Sequence, residues 1–125
     1  MPSIAIIGAS ANRAKFGNKC VRAYQKLGWK IFPVNPKEKE IEGLQCHPSI
    51  VELPEKPDRV SIYLPPQVAE SIIPDLLEAG VKSVILNPGA ESPKLVKSLR
   101  DSGIKPRLVC SMRMVGLAPG DFPDR

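Results

Sequence analysis

A run of small residues, Gly8-Ala9-Ser10-Ala11-Asn12, stands between the apolar run Ile4-Ala5-Ile6-Ile7 and a segment with helical spacing. A strand, a tight small-residue turn and a helix N-terminus in that order make a place for a phosphate. Small side chains let backbone N–H groups approach the anion, and the helix dipole favours negative charge there. Between Gly8 and Gly17 the loop carries Ala9, Ser10, Asn12, Arg13, Lys15 and Phe16, and its two cations suit a bulky or highly charged phosphate ligand. It is not a dinucleotide fingerprint. G-x-G-x-x-G needs glycines at positions 10 and 13, where this chain has Ser10 and Arg13.

A second cue follows the next apolar run. NAD-binding domains place a carboxylate at the end of their second strand to accept the ribose 2′-hydroxyl. Here the sequence reads Val34-Asn35-Pro36-Lys37, with no carboxylate, and Lys37 is the nearest charge. That argues against NAD and for a ribose bearing its own phosphate, as in NADP or coenzyme A.

Other chemistry is sparse. His47 is the single histidine and follows Cys46; a lone Cys-His pair lacks the remaining ligands of a zinc site, so no metal is expected. His47 itself reads as an exposed loop residue. Ser10 lacks the Gly-x-Ser-x-Gly elbow, and no other histidine can pair with a nucleophile, so no catalytic residue is assigned. Cys20 falls in the first turn of the first predicted helix, where the dipole can lower a thiol pKa. Cys110 ends the fifth predicted strand on the ligand side. Both are nevertheless read as buried structural cysteines rather than partners for a ligand thiol.

The elements that must position these residues alternate. Strands are predicted at Ile4–Ile7, Ile31–Val34, Val60–Leu64, Val84–Leu86 and Leu108–Cys110. Pro33 weakens the second, since proline cannot donate to a ladder and belongs at edges or bulges. Val21, Tyr24 and Leu27 mark a helix closed by Gly28. Lys37–Glu42 reads as a charged, mobile loop, with a short helical turn near Ser49–Leu53. Val68, Ile72, Ile73, Leu76 and Leu77 form an apolar stripe that Pro74 must kink or restart. Ser92-Pro93 supplies an N-cap and N1 pair for a helix carrying Leu95, Val96 and Leu99. This alternation implies an α/β fold, a Rossmann-like, doubly wound, parallel five-stranded sheet with helices on both faces. The expected strand order is 3-2-1-4-5. Ligands then bind outside the carboxyl ends of the strands, where the order reverses.

Composition bounds the class. The 125 residues, 42% hydrophobic, are read as one domain over 1–125, with an irregular tail from about residue 117. No apolar run approaches the ~18 residues of a membrane-spanning helix, no signal peptide is evident, and three scattered cysteines form no disulfide framework. A cytoplasmic protein without a membrane is expected. The charge of +5 and pI near 9.3 raise the question of nucleic acid. Against it, the basic residues are dispersed and the six aromatics (one Trp, two Tyr, three Phe) do not alternate with them, so no nucleic-acid partner is expected.

Four segments in order carry a family resemblance. Ile6-Ile7-Gly8-Ala9-Ser10, Phe32-Pro33-Val34-Asn35-Pro36-Lys37, Ile41-Glu42-Gly43 and Ile62-Tyr63-Leu64-Pro65-Pro66 resemble small stand-alone CoA-binding proteins. These are similar to the N-terminal domain of the succinyl-CoA synthetase α subunit, where a valine-proline pair takes the place of Leu64-Pro65. The resemblance covers roughly residues 3 to 116. It implies that Gly8, Ser10 and the loop to Gly17 hold the CoA phosphates on backbone N–H groups, with Lys37 near the phosphates of the nucleotide. Leu64, Pro65 and Pro66 would wall the cleft, and Asn87-Pro88-Gly89 would lie along the pantetheine arm, where many small members carry Gln-x-Gly.

The expected function is therefore binding of CoA or an acyl-CoA, without catalytic apparatus. Two other readings stay open: an NADP-dependent oxidoreductase domain, and a non-catalytic interaction subunit of an acyl-CoA ligase-type complex. A homodimer or a ligase-type partner subunit is the expected association.

Overall fold

The computed structural model describes residues 1–125. In chain order the elements are β1 (Ser3–Ile7), α1 (Phe16–Lys26), β2 (Lys30–Val34), β3 (Glu40–Ile41), β4 (Leu44–Gln45), β5 (Arg59–Ile62), α2 (Pro66–Ser71), α3 (Ile73–Glu78), β6 (Ser83–Leu86), α4 (Pro93–Asp101) and β7 (Lys105–Arg107). β1 is buried at every position, as a central strand of a parallel sheet covered on both faces must be. The five long-range strands form one parallel sheet in the order β2-β1-β5-β6-β7, and β3-β4 is a separate hairpin.

Counted by the five sheet strands alone, that order is 2-1-3-4-5, which corrects the expected 3-2-1-4-5. The outer edge of β2 is already occupied. His47 bridges Val34 there, its N–H donating to the Pro33 carbonyl while the Asn35 N–H donates to the His47 carbonyl. His47 is accordingly half-buried, its ring 5.9 Å from that of Phe32, rather than an exposed loop residue. With that edge closed, β5 pairs on the far side of β1, Ile7 opposite Ile62. Pro33 is then in an edge strand, the position a residue without an N–H tolerates.

Two further expectations are corrected. The fifth strand is Lys105–Arg107, and the apolar run that follows it leaves Leu108 and Val109 exposed. Ile104 and Pro106 point inward while Lys105 and Arg107 face solvent, the period-two pattern of a half-buried strand. The charged loop contains the β3-β4 hairpin, turned by Glu42 and Gly43 at φ 50° and 78°. Both central residues at positive φ suit a tight two-residue hairpin. Elsewhere the punctuation acts as expected. Pro74 sits in the first turn of α3, so the apolar stripe is interrupted at Ile72, and the Ser92 hydroxyl accepts from the Leu95 N–H at 3.0 Å.

The helices divide between the two faces. On one, Ala5, Ile7, Val60, Ile62 and Leu86 pack against Ala69, Ile73, Leu76, Leu95 and Leu99 of α2, α3 and α4. On the other, Ile4 and Ile6 meet Val21, Ala23 and Tyr24 of α1 together with Met112 and Phe122. The chain after β7 thus covers the sheet beside α1 with two 3₁₀ turns, Arg113–Val115 and Pro119–Asp121, in place of a helix.

The entry of α1 crowds the end of β1. A Cβ at Gly17 would lie 2.4 Å from the Gly8 carbonyl oxygen, a backbone atom that cannot swing aside. Gly17→Ala should therefore destabilise the fold by about 1–3 kcal/mol, the usual cost of overpacking a close contact. Urea unfolding measures it, and an unchanged midpoint would refute the contact.

Candidate functional site

The strand order reverses at β1, because the chain runs from β1 outward to β2 and then returns to β5 on the other side of β1. The carboxyl end of β1 is thus a topological switch point, where open α/β sheets bind ligands. Gly8 marks it. Its N–H donates to the Val34 carbonyl at 3.0 Å, and the Tyr63 N–H donates to the Ile7 carbonyl at 2.8 Å. Gly8 has φ 90°, and a Cβ there would stand 2.5 Å from the Tyr63 carbonyl oxygen. Only glycine lets β1, the β5 exit and the start of α1 meet.

The loop leaving Gly8 is tied mostly to itself. The Asn12 N–H donates to the Ser10 hydroxyl, the Ala14 N–H to the Asn12 side-chain oxygen and the Lys15 N–H to the Asn12 carbonyl, each at 3.0 Å. Lys15 is the N-cap of α1 and makes no side-chain cap. The N–H groups of Phe16 and Gly17 have no acceptor within the chain, leaving two orphan donors at the positive end of the helix dipole.

Three cavities run along this edge of the sheet. A central one of about 390 Å³ is lined by Gly8, Ser10, Lys15, Phe16, Gly17, Asn35, Tyr63, Leu64 and Pro65. Gly8, Asn35 and Leu64 also border a more apolar pocket of about 310 Å³, completed by Ile7, Val34, Pro36, Pro48, Ser49, Ile50, Val68, Ser71, Ile72 and Asp75. On the other side, Tyr63, Leu64 and Pro65 continue into a groove of about 290 Å³ between Pro66 and the Pro88-Gly89-Ala90 loop. The middle is the most polar of the three and bears the exposed Lys15, which forms no ion pair.

Not every residue singled out in the sequence faces these cavities. Ala9 is fully buried, and its carbonyl accepts from the Asn35 side-chain amide at 2.8 Å. Asn12 is exposed and braces the loop from within. Arg13 turns toward Glu42, its Nε 3.4 Å from the carboxylate. Lys37 is exposed one residue beyond Pro36, its N–H donating to the Asn35 side-chain oxygen at 2.8 Å. Asn87 has no exposure at all. Its amide donates to the Ser61 hydroxyl at 2.8 Å and to the Ile62 carbonyl at 2.9 Å, and its oxygen accepts from the Ser111 N–H at 2.8 Å. With those bonds made, the Asn87 side chain fixes the loop, and Pro88 and Gly89 are the residues that meet the groove.

Sequence reasoning passed over Asn18, Arg22 and Glu42, which hold the loop from behind. Asn18 and Arg22 stand at i and i+4 on α1, and the Arg22 Nε donates to the Asn18 side-chain oxygen at 2.8 Å. That spacing was the available signal, but it also fits a solvated helix face.

Of the two thiols read as buried, Cys20 is buried and Cys110 is not. Cys20 is fully buried, and burial pushes its pKa from 9.0 up to about 12, outweighing any effect of the helix dipole. Tyr63 lies beside it, its hydroxyl pushed up mainly by burial and next by Cys20, and this is the buried side-chain polar atom without a hydrogen-bond partner. Cys110 is partly exposed. No group of three His, Cys, Asp or Glu side chains is placed to hold a metal, and no helix is long and apolar enough to cross a membrane.

The sequence profile of a CoA binding domain family matches residues 2–114. The acetate–CoA ligase (ADP-forming) II of Archaeoglobus fulgidus is 33% identical over 86 residues, which are 67% of this chain and 13% of that protein. The acetate–CoA ligase (ADP-forming) II subunit alpha of Pyrococcus furiosus is 35% identical over 86 residues, 66% of this chain and 18% of that one. The chain therefore spans a small part of the length of these curated relatives. Among solved structures, a conserved hypothetical protein from Pyrococcus furiosus superposes with a TM-score of 0.84 at 36% identity, covering 91% of this chain and 99% of that one. The dinucleotide-forming acetyl-coenzyme A synthetase 1 of Ca. Korarchaeum cryptofilum, in complex with phosphate and ADP, gives 0.72 at 30% identity, covering 83% and 25%.

Two measurements check the supporting groups. Asn87→Ala strands buried donors and acceptors on Ser61, Ile62 and Ser111, and should cost about 1–3 kcal/mol in chemical unfolding. A neutral substitution would contradict the brace. Because the folded Cys20 pKa is raised, its contribution is complete below pH 9 and is lost as pH rises toward about 12. Stability should fall across that window, and Cys20→Ala should flatten the fall; an identical alkaline slope in the variant would contradict it.

Proposed function

The chain belongs to the CoA binding domain family, and on that premise we propose that it binds coenzyme A or an acyl-CoA at the carboxyl edge of its sheet. The observation that carries this reading is the continuity of the three cavities. They share Gly8, Asn35 and Leu64 on one side and Tyr63, Leu64 and Pro65 on the other, and the most polar part lies in the middle. An elongated ligand with a charged centre and less polar ends fits that sequence of surfaces.

In this reading the diphosphate sits over the Gly8–Gly17 loop. The orphan N–H groups of Phe16 and Gly17 point their dipoles at it, and the Lys15 ammonium completes its charge. The adenosine end enters the apolar pocket beyond Asn35, with Lys37 near the phosphate on its ribose. The pantetheine arm follows the groove between Leu64-Pro65-Pro66 and Pro88-Gly89. In this reading the chain holds CoA and is assigned no catalytic residue of its own. Three free cysteines fit a reducing, cytoplasmic setting.

A second reading concerns partners. Some relatives are named as alpha subunits of ADP-forming acetate–CoA ligases, and this chain matches only a part of them. That supports a role as the CoA-holding piece of a ligase-type assembly, with this chain supplying the ligand and a partner the chemistry.

Calorimetric titration with CoA, dephospho-CoA and NADP tests the primary reading. CoA should bind saturably, and losing the 3′-phosphate or the Lys37 ammonium (Lys37→Ala) should each weaken binding about tenfold, the value of one charge-assisted contact. Saturable NADP binding with no heat from CoA would overturn it. Silence with all three would leave the interaction subunit as the better account.

A further inference from the structure

Arg22 is a guanidinium in the middle of α1 with only 8% of its surface exposed, and no part of it lines the cleft. A buried charge persists only when its donors are satisfied. Here the satisfaction comes from three separate parts of the chain. Nε donates to the Asn18 side chain, and Nη2 donates to the Arg13 carbonyl at 2.9 Å and to the Pro123 carbonyl at 2.8 Å. Asn18, itself fully buried, donates from its amide to the Ser10 carbonyl at 2.9 Å and to the Glu42 carboxylate at 3.0 Å. Two carbonyls of the phosphate loop, Ser10 and Arg13, are therefore held from behind by one pair of helix side chains.

The same pair gathers two distant segments. Glu42 is the one non-glycine residue with positive φ. That strained conformation is pinned by the contacts of its carboxylate to Asn18 and Arg13 and by the Gln25 amide on its carbonyl at 3.0 Å. At the other end of the chain, Phe122 is buried with its ring 5.8 Å from the Arg22 guanidinium, and Asp124 pairs with the nearly buried Lys19 at 2.5 Å. Apart from these contacts and the Asn35 amide on Ala9, the side-chain bonds of the loop are local to it.

We propose that Arg22 is the positioning residue of the phosphate loop, and that Pro123–Asp124 is a strap which, by closing on Arg22 and Lys19, keeps the loop in its anion-binding shape. The proposal rests on reading the Gly8–Gly17 loop as the phosphate site. Its geometry is specific to arginine, because a planar fork reaches three acceptors at once and a lysine ammonium on a single stem does not.

The test uses the full chain, Arg22→Ala, Arg22→Lys, a chain ending at Phe122, and that shortened chain carrying Arg22→Ala. Amide hydrogen exchange without ligand reads the loop, and calorimetry reads CoA. Exchange should quicken at the hydrogen-bonded Asn12, Ala14 and Lys15 amides in every variant while β1 and β5 keep their protection, and CoA affinity should fall about tenfold in Arg22→Ala and Arg22→Lys. The doubly altered chain should bind no more weakly than Arg22→Ala alone, since both changes break one network. Full affinity in Arg22→Lys, or unchanged loop exchange in Arg22→Ala, would overturn the proposal. Should Arg22→Ala lose protection throughout the sheet, the shortened chain decides, and wild-type loop exchange there overturns the strap. Failure of the unaltered protein to bind CoA would instead sink the ligand reading, while loop exchange still judges the strap.

Discussion

Everything at the carboxyl edge of the sheet depends on one close approach of backbones. The Gly8 Cα lies where a side chain would strike the Tyr63 carbonyl, and Gly17 lies where a side chain would strike the Gly8 carbonyl. The contact joins the end of β1, the exit of β5 across the switch point and the first turn of α1 without any side chain between them. Because the floor of the cleft is backbone, an anion placed there, as proposed, would meet N–H groups before flexible side chains. Side chains begin at the walls, with Ser10 and Lys15 on one side and Leu64 and Pro65 on the other. Such a floor costs little reorganisation when a phosphate arrives, since its donors are already fixed by the strand and the helix.

Behind the walls, a buried polar network holds the loop that lines the groove. Ser61, Asn87 and Ser111 exchange hydrogen bonds across β5, the loop after β6 and the chain after β7, with Ser61 and Ser111 hydroxyls 2.6 Å apart. The Tyr24 hydroxyl reaches the Ser111 carbonyl at 2.7 Å and accepts from Arg59 at 3.0 Å, which ties α1 to the same cluster. Buried networks of this kind specify one arrangement because every alternative strands a polar group. Asn87 thus stands just beyond the carboxyl end of β6 yet lines none of the cavities itself, and its bonds fix the loop whose Pro88 and Gly89 do.

What the sequence made legible follows from the range of the physics. The first strand, the small-residue loop and the helix after it are local features, written in an apolar run, missing side chains and helical spacing, and all three stand where expected. Topology was half written. Pro33 marked β2 as an edge strand, which the order 3-2-1-4-5 denies, but what closes that edge is the His47 backbone, and a backbone bridge leaves no trace in side-chain pattern. The fifth strand was misplaced because Leu108-Val109-Cys110 is more apolar than Lys105-Pro106-Arg107, although only the latter alternates inward and outward. Arg22 was illegible for a stronger reason. An arginine on a helix reads as solvated, and its partners on the loop and in residues 122–124 become neighbours only when the chain returns from the far end of the sheet.

That return also explains an electrostatic imbalance on α1. Its first turn holds no acid, Arg13 and Lys15 precede it, and Lys19 and Arg22 are nearly buried within it. Cations near a helix N-terminus oppose the dipole and one another, so this distribution is unfavourable for the helix taken alone. Two carboxylates brought from elsewhere, Glu42 from the hairpin and Asp124 from the final residues, offset part of it. Lys15 remains unpaired, beside the orphan N–H groups of Phe16 and Gly17. Conflicts between local preference and global arrangement concentrate at functional sites, where the missing term is supplied by something outside the chain. On the proposed reading, a diphosphate over the loop would supply negative charge at that point, so the ligand proposed for the cleft would also offset its unpaired cation.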